Sequence, residues 1–230
     1  MKKRWFCLYV VAAMLLILGV LYSLIEGLMF DRRFFEEQYK QYGQAEVIGM
    51  SHEDLMAATD KLLLHMEGKS EDMVVYATVN GAERPVFNEQ ETVHMQDVNA
   101  LIRGFSAFRY AAFGLAAAAL VSFFLVCRKE RLKQLAKILL CACLCLFGLF
   151  ALLGLWAAVD FASFWTSFHH LLFTNDLWLM DPRTSIMINM FPAQFFSNFI
   201  MTFLGRAALA IGLPMLACGA VLVIRRHKSI

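Results

Sequence analysis

Residues 138–158 read ILLCACLCLFGLFALLGLWAA, an unbroken apolar stretch without one charged side chain. A helix of about 20 such residues covers the hydrocarbon core of a bilayer. Three further runs of similar character lie at residues 5–30, 105–127 and 207–224. The sequence therefore predicts an α-helical integral membrane protein with four transmembrane helices.

The composition supports the same fold class. Of 230 residues, 60% are hydrophobic and only 17% are charged. Such a chain cannot cover itself with a water-soluble surface, which excludes a soluble enzyme, a nucleic-acid-binding protein and a disordered protein. The first run follows Met-Lys-Lys-Arg and is longer than the apolar region of a signal peptide, so we expect an uncleaved first helix.

The charges predict the topology. Basic residues cluster before the first run, between the second and third, and after the fourth: Lys2, Lys3, Arg4, Arg128, Lys129, Arg131, Lys133, Lys137, Arg225, Arg226 and Lys228. These clusters are expected in the cytoplasm, with both termini. Residues 31–104 carry 14 acids against seven Lys and Arg, which favours the outer face. The predicted organisation is helix 1 at 1–30, an extracytoplasmic domain at 31–104, helix 2 at 105–127, a basic cytoplasmic loop at 128–137, helix 3 at 138–159, an aromatic interfacial segment at 160–206, helix 4 at 207–224 and a basic tail at 225–230.

The segment 31–104 is expected to be a small α+β domain. Ser51 with Asp54 predicts a helix start, and Met73 to Val79 is β-prone. Asn80-Gly81 is typical of a tight hairpin turn, with a short return strand at Pro85 to Phe87. Asn88 with Glu91 then predicts the start of one long helix over 89–127.

The segment 160–206 is too aromatic for a solvated loop. Phe161, Phe164, Trp165, Phe168 and Leu172 recur at helical spacing, which predicts an amphipathic helix at the bilayer interface. Asp181-Pro182 is expected to end it, and the apolar stretch Met187 to Phe203 around Pro192 predicts a second short helix at the outer leaflet.

The six cysteines lie in or beside the apolar runs, so no disulfide framework is expected. Cys141, Cys143 and Cys145 could suggest a metal site, but on a helix Cys143 points away from the other two. No second ligand cluster with zinc spacing accompanies them, so we interpret them as packing residues and expect no metal site.

Two of the six histidines are candidates for chemistry. His94 precedes the second run on a continuous helix, with Asp97 one turn further on to hold its ring, and His169 lies at the edge of the aromatic stripe. The alternative for one such histidine is a hydrogen-bonded structural residue, but two on one membrane face favour general acid–base chemistry.

The remaining histidines are discounted. His52 opens a helix, His65 is expected at the surface, His170 faces away from the stripe, and His227 is in the basic tail. Glu26 is interpreted as interfacial and Arg109 as snorkelling to the headgroups.

Common catalytic and transport signatures are missing from the sequence. It contains no G-x-S-x-G elbow, no H-E-x-x-H, no P-loop and no dinucleotide fingerprint. It shows no repeated pair of broken helices, so transport is weakly supported.

Three stretches carry a resemblance: HMQDV at residues 94–98, FHHLLFTNDLWLMDP at 168–182 and FPAQFF at 191–196. With the four runs, they resemble the bacterial lipoprotein intramolecular transacylase family over essentially the whole chain. The sequence departs from the family pattern at Ser185, where an acid is common, and at Leu172, where an aromatic residue is common. No role is therefore carried to those two positions.

The resemblance implies an acyltransferase of the plasma membrane. It would move the sn-2 acyl chain of a diacylglyceryl lipoprotein to the α-amine of its N-terminal cysteine and leave a lyso-form lipoprotein at the outer leaflet. The implied partners are the lipoprotein substrate and membrane lipids, without nucleic acid, and no cofactor is needed. The oligomeric state stays open.

The roles expected from this chemistry fall on five residues. His94, oriented by Asp97, is the expected base, and His169 is expected to polarise or protonate the carbonyl oxygen. Asn175 and Trp178 support the site, and the two histidines could exchange roles. A non-catalytic lipid-binding or signalling protein, or an acyltransferase acting between two different lipids, are the alternative functions.

Overall fold

The computed structural model describes residues 2–227, with the backbone alone at His227. Lys228, assigned above to the basic tail, lies outside the described residues. The chain forms two compact units. The membrane unit contains the described residues up to Glu26, Phe105–Val159 and the described residues from Met201 onward, and the polar unit contains Gly27–Gly104 and Asp160–Ile200.

In chain order the elements are α1 (Lys3–Met29), α2 (Arg32–Tyr42), α3 (Gln44–Ile48), α4 (His52–Met66), β1 (Tyr76–Val79), β2 (Ala82–Pro85), α5 (Glu89–Val126), α6 (Arg131–Val159), α7 (Phe161–Leu172), α8 (Ile186–Met190) and α9 (Ala193–His227).

Four helices, α1, α5, α6 and α9, are long and apolar enough to cross a membrane. The predicted helical membrane fold with a small sheet is confirmed. Helix α5 has 38 residues, so it is about 57 Å long, roughly twice the hydrocarbon thickness. Its residues 89–104 belong to the polar unit. We therefore take only the apolar part from Phe105 onward as membrane-spanning.

Helix α9 corrects two predictions. It begins at Ala193 rather than near residue 207, and it runs without interruption for 35 residues. The expected second interfacial helix around Pro192 is wrong, because the chain there forms only the five-residue α8 before α9 starts. Pro192 lies just before the first turn of α9, where the chain needs no intrahelical N–H donor.

Several polar side chains inside the membrane unit pair with one another, as a low-dielectric surrounding favours. The hydroxyls of Tyr9 and Ser122 lie 3.1 Å apart. Ser106 donates to the carboxylate of Glu26 over 3.0 Å. Arg109 forms an ion pair with the same carboxylate, so the prediction that it snorkels to headgroups is wrong.

Helices α2 and α3 were not predicted. Asp31 caps α2 and Gly43 ends it in the left-handed conformation. The buried face of α2 includes Phe35 and Tyr39, which pack on Phe195 with ring centroids 5.2 and 6.2 Å away. Charged and aromatic residues are interspersed in this short segment, so its sequence does not show clearly which residues form the buried face of a helix.

The next elements follow their local signals. Ser51 accepts a hydrogen bond from the backbone N–H of Asp54 over 3.0 Å and caps α4, as predicted. Strands β1 and β2 form an antiparallel hairpin, and Asn80 and Gly81 turn the chain with φ of 52° and 82°. The predicted return strand at Pro85 to Phe87 is wrong, because a two-residue turn brings Ala82 into pairing at once.

Both helices that carry the candidate histidines are capped. The side chain of Asn88 accepts from the backbone N–H of Glu91 over 2.9 Å, and the side chain of Glu91 accepts from the backbone N–H of Asn88 over 2.6 Å. These two bonds confirm the predicted start of α5. Asp160 accepts from Ser163 over 3.0 Å at the start of α7. Helix α7 ends at Leu172 and not at Asp181-Pro182, because Phe173 is already extended.

Candidate active site

The structure brings His94 and His169 together within the polar unit. The two imidazole rings are buried, with 8% and 7% of each residue exposed. Their centroids lie 6.4 Å apart at an interplanar angle of 31°. Helix α5 carries His94 and helix α7 carries His169, so two residues 75 positions apart in the chain face one small region.

His169 has a defined tautomer. Its Nδ1 lies 2.8 Å from the carbonyl oxygen of Trp165, one turn earlier on α7. A carbonyl oxygen can only accept, so we assign the proton to Nδ1. The neutral ring therefore keeps its lone pair on Nε2, which is the atom of His169 that can accept a proton.

Aromatic rings surround His169. Trp178 stacks on it with centroids 4.6 Å apart, and Trp165 meets it edge-on at 4.7 Å. Phe168 and Phe173 lie within 5.5 and 5.8 Å. Burial lowers the pKa of His169, the bond to the Trp165 carbonyl opposes this, and the charge of His170 adds to the lowering.

His94 lacks the hydrogen bond that fixes the ring of His169. Its Nδ1 is buried and has no hydrogen-bond partner among the residues that the structure describes. The pKa of His94 is lowered to about 4, chiefly by burial and also by the neighbouring His169, while Asp97 partly opposes the shift. His94 is thus an uncharged imidazole at neutral pH.

The predicted hydrogen bond from Asp97 to the ring of His94 is wrong. Asp97 instead accepts from the side-chain amide of Asn175 over 2.9 Å, and its effect on His94 is through charge alone. Asn175 Oδ1 in turn accepts from the backbone N–H of Leu177 over 3.2 Å. Asn175 therefore supports the start of the loop after α7, and not the ring of His169.

Trp178 belongs to the site through two observations. Its ring covers one face of His169, and His170 meets its edge at 5.1 Å. Its indole Nε1 is buried without a hydrogen-bond partner in the described part of the chain. A buried N–H without an acceptor is costly, so Nε1 is a candidate donor to a bound polar group.

Sequence reasoning missed the anchoring role of Glu91. This carboxylate is fully buried. Its Oε1 accepts from Ser185 Oγ over 2.5 Å and from the backbone N–H of Met187 over 2.9 Å. Ser185, to which no role had been given, also caps α8. The capping pattern of Glu91 with Asn88 was the available signal, but it revealed only one of the three hydrogen bonds that the carboxylate accepts from described residues.

The phenylalanines of the FPAQFF stretch pack behind Trp165, which contacts His169. Phe196 lies 4.3 Å from Trp165, and Phe195 and Phe191 pack on the buried rings of α2. This places Trp165 between the aromatic core of the polar unit and His169.

His65 and His52 are apart from this pair, whereas His170 contacts the edge of Trp178. His65 is only 5% exposed, so the expectation that it lies at the surface is wrong. Its Nδ1 bonds the carbonyl of Ser70 over 3.0 Å. His52 lies 3.9 Å from Glu36. Within the described residues, no group of three or more His, Cys, Asp or Glu side chains could hold a metal ion.

Comparisons with known proteins identify the family and the fold. The family model of the lipoprotein intramolecular transacylase Lit matches residues 10–196. The solved structure of the membrane-integral lipoprotein intramolecular transacylase Lit from Bacillus cereus is 15% identical, covers 99% of this chain and 100% of its own, and superposes with a TM-score of 0.71. Two variants of that protein, with one histidine replaced by arginine or by alanine, are also 15% identical, with TM-scores of 0.69 and 0.65. They cover 99% and 98% of this chain, and each match covers 95% of the variant. A search of curated proteins finds no significant match.

The fold and the family match together identify a multi-pass membrane acyltransferase. The chain belongs to the lipoprotein intramolecular transacylase family, which acts on lipoprotein substrates. The resemblance first indicated by the sequence motifs is confirmed.

Proposed function

We propose that this chain moves the sn-2 acyl chain of a diacylglyceryl lipoprotein to the α-amine of the lipoprotein's N-terminal cysteine. The observation that carries this proposal is the pair of buried, uncharged imidazoles, His94 and His169, with their centroids 6.4 Å apart. Aminolysis of an ester needs a base for the amine proton, a donor for the developing oxyanion and protection from water. The pair and its aromatic surroundings can meet all three needs.

His169 is the better base. Its Nε2 lone pair is free, because Nδ1 donates to the carbonyl of Trp165. The lowered pKa of His169 keeps the ring neutral at pH 7 and ready to accept a proton. This reverses the order first expected, in which His94 was the base.

His94 is the better hydrogen-bond donor to the developing oxyanion. A buried acceptor without a partner is tolerated better than a buried N–H without one, so we assign the proton of its neutral ring to Nε2. Nε2–H of His94 and Nε1–H of Trp178 then supply two donors for the carbonyl oxygen of the sn-2 ester. Each such donor contributes on the order of 10²-fold to the rate in other acyl-transfer sites.

The bonds balance without a co-reactant. The amine nitrogen attacks the ester carbon, and its proton passes to Nε2 of His169. The bond between that carbon and the sn-2 oxygen breaks, and His169 returns the proton to this oxygen as a hydroxyl. The amine and the ester sit on one molecule, so their proximity replaces much of the catalytic machinery that a bimolecular transfer needs.

The aromatic rings around His169 would exclude water, so that the acyl chain is transferred and not hydrolysed. The rings of Trp165, Phe168 and Phe173 also offer apolar contacts to acyl chains. This is the part of the site where membrane lipids and the lipoprotein's own chains are expected to bind.

We infer that the site faces the extracytoplasmic side of a bacterial plasma membrane, with both termini in the cytoplasm. The support is the charge pattern: basic residues flank the ends of the four spans on one side, whereas residues 31–104 are acidic. Positive residues are retained on the cytoplasmic side of membrane proteins.

The decisive experiment is the N-terminal mass spectrum of a lipoprotein from a host that makes only the diacylglyceryl form. Expression of this chain should leave the mass unchanged and block the N-terminus with an acyl group. A gain of one acyl chain would show transfer from a separate lipid, and an unchanged, free N-terminus would favour a non-catalytic protein. His52→Gln, in the same unit but outside the pair, is the matched control and should convert normally.

A further inference from the structure

Gln90 clamps the middle of the loop between α7 and α8. Its side-chain Nε2 donates to the carbonyl oxygens of Leu177 and Leu179, over 2.9 and 3.1 Å. A primary amide carries two N–H donors, so each carbonyl can take one. Gln90 precedes His94 by four residues, which places both side chains on one face of α5.

The two carbonyls flank Trp178, whose indole stacks on His169 at 4.6 Å. The indole Nε1 makes no hydrogen bond to any described residue, so the ring is held by stacking and by its backbone alone. We propose that Gln90 is a positioning residue, which holds the indole of Trp178 over His169 by fixing the backbone on both sides of it. This inference rests on the function proposed above.

The other anchors of the loop make this role separable from folding. Asp97 holds the beginning of the loop through Asn175, and Glu91 holds its end through Ser185 and Met187. Gln90 itself is only partly buried. Removing its amide therefore removes the two side-chain hydrogen bonds on either side of Trp178, while both ends of the loop and its internal bond from Leu179 N–H to the Asp176 carbonyl stay in place.

The test replaces Gln90 by methionine, which keeps an unbranched chain of similar length and removes both donors. Gln96→Met is the matched control, because Gln96 is exposed on the same helix and has no hydrogen-bond partner among the described residues. We expect Gln90→Met to lower lipoprotein conversion on the order of tenfold or more, as small misplacements in active sites do. Gln96→Met should convert like the unmodified chain.

A double-mutant cycle with Trp178→Phe then shows whether Gln90 acts through the indole. If it does, the double variant converts no worse than Trp178→Phe alone, because Gln90 then has no indole to position. Independent losses that multiply would overturn the proposal, and so would normal conversion by Gln90→Met.

A second readout does not depend on activity. Diethyl pyrocarbonate modifies accessible neutral imidazoles, and fragment spectra can separate His169 from His170. Modification of His169 should be faster in Gln90→Met than in Gln96→Met, at equal melting temperature. The pH profile should also change, because exposure of His169 raises its pKa toward the ordinary value; the nearby titratable groups are His94 on α5 and His170 on α7.

The two readouts distinguish the two hypotheses. If the unmodified chain converts no lipoprotein, the proposed function fails. The modification rate of His169 still tests whether Gln90 positions Trp178. Unchanged modification of His169 in Gln90→Met would overturn the positioning role even if conversion is normal in the unmodified chain.

Discussion

Protonation of His94 offers a direct physical test of the site. The pKa of His94 is about 4, against an ordinary value of 6.5, chiefly because burial penalises the imidazolium. The difference between the two values corresponds to about 3 kcal/mol. At pH 5.5 His94 should be protonated in only about 3% of molecules, whereas a solvated histidine of pKa 6.5 is about 90% protonated.

The same difference predicts the effect of acid on stability. The folded-state pKa of His94 lies below its unfolded value, so the neutral ring stabilises the fold fully above about pH 6.5. That contribution, up to about 3 kcal/mol, is lost as the pH falls toward 4. His94→Gln should therefore flatten the decline of stability in this window.

Substitution of either neighbouring titratable residue should shift the pKa of His94 in a defined direction. Asp97→Asn should lower the pKa of His94 further, because the carboxylate favours the cation. His169→Gln should raise the pKa of His94, because the second imidazole disfavours the cation. The assay is the pH titration of ¹³C-labelled histidine signals in the purified protein, assigned by single substitutions. Titration of His94 near pH 6.5, or an upward shift in Asp97→Asn, would refute the proposed environment.

Four further outcomes are expected. Replacing His94 or His169 by glutamine should each abolish conversion, and the double variant should resemble the singles, because residues that act as a unit are non-additive; near-normal conversion by both singles would locate the base elsewhere. The conversion rate should rise with pH up to about 8, where the cysteine amine loses its proton, and should not fall between pH 8 and 9; a decline there would mean that a cationic histidine is required. Glu91→Gln should lower the stability of the purified protein by about 2 kcal/mol, because a buried amide cannot accept from all three donors; an unchanged melting temperature would contradict this. A cysteine introduced at position 71 should react with an impermeant label on intact cells, and reaction at position 133 instead would invert the topology.

Local signals predicted the elements whose causes are local. Ser51 with Asp54, and Asn88 with Glu91, begin helices because the capping hydrogen bonds span three residues. Asn80-Gly81 turns the hairpin because both residues tolerate positive φ. In each case the sequence contains the whole cause within one turn of chain.

The arrangement of the site depends on contacts that the sequence separates widely. Asp97 lies one turn from His94, so local spacing favoured a bond between them. The structure instead pairs Asp97 with Asn175, 78 residues away. Similarly, the tautomer of His169 depends on the direction of the Trp165 carbonyl, which follows from helix α7 and could not be inferred from residue types.

The bond between Nδ1 of His169 and the Trp165 carbonyl limits how protons can move. One nitrogen is committed to the helix backbone, so a proton that enters at Nε2 cannot leave on the opposite side of the ring. In the proposed reaction the same atom must therefore meet the incoming amine and the departing sn-2 oxygen in turn. A single substrate that carries both groups a few bonds apart satisfies this condition without any rotation of the ring. A fixed imidazole can thus serve as base and then as acid through Nε2 alone, provided that both reacting groups come to the same side of the ring.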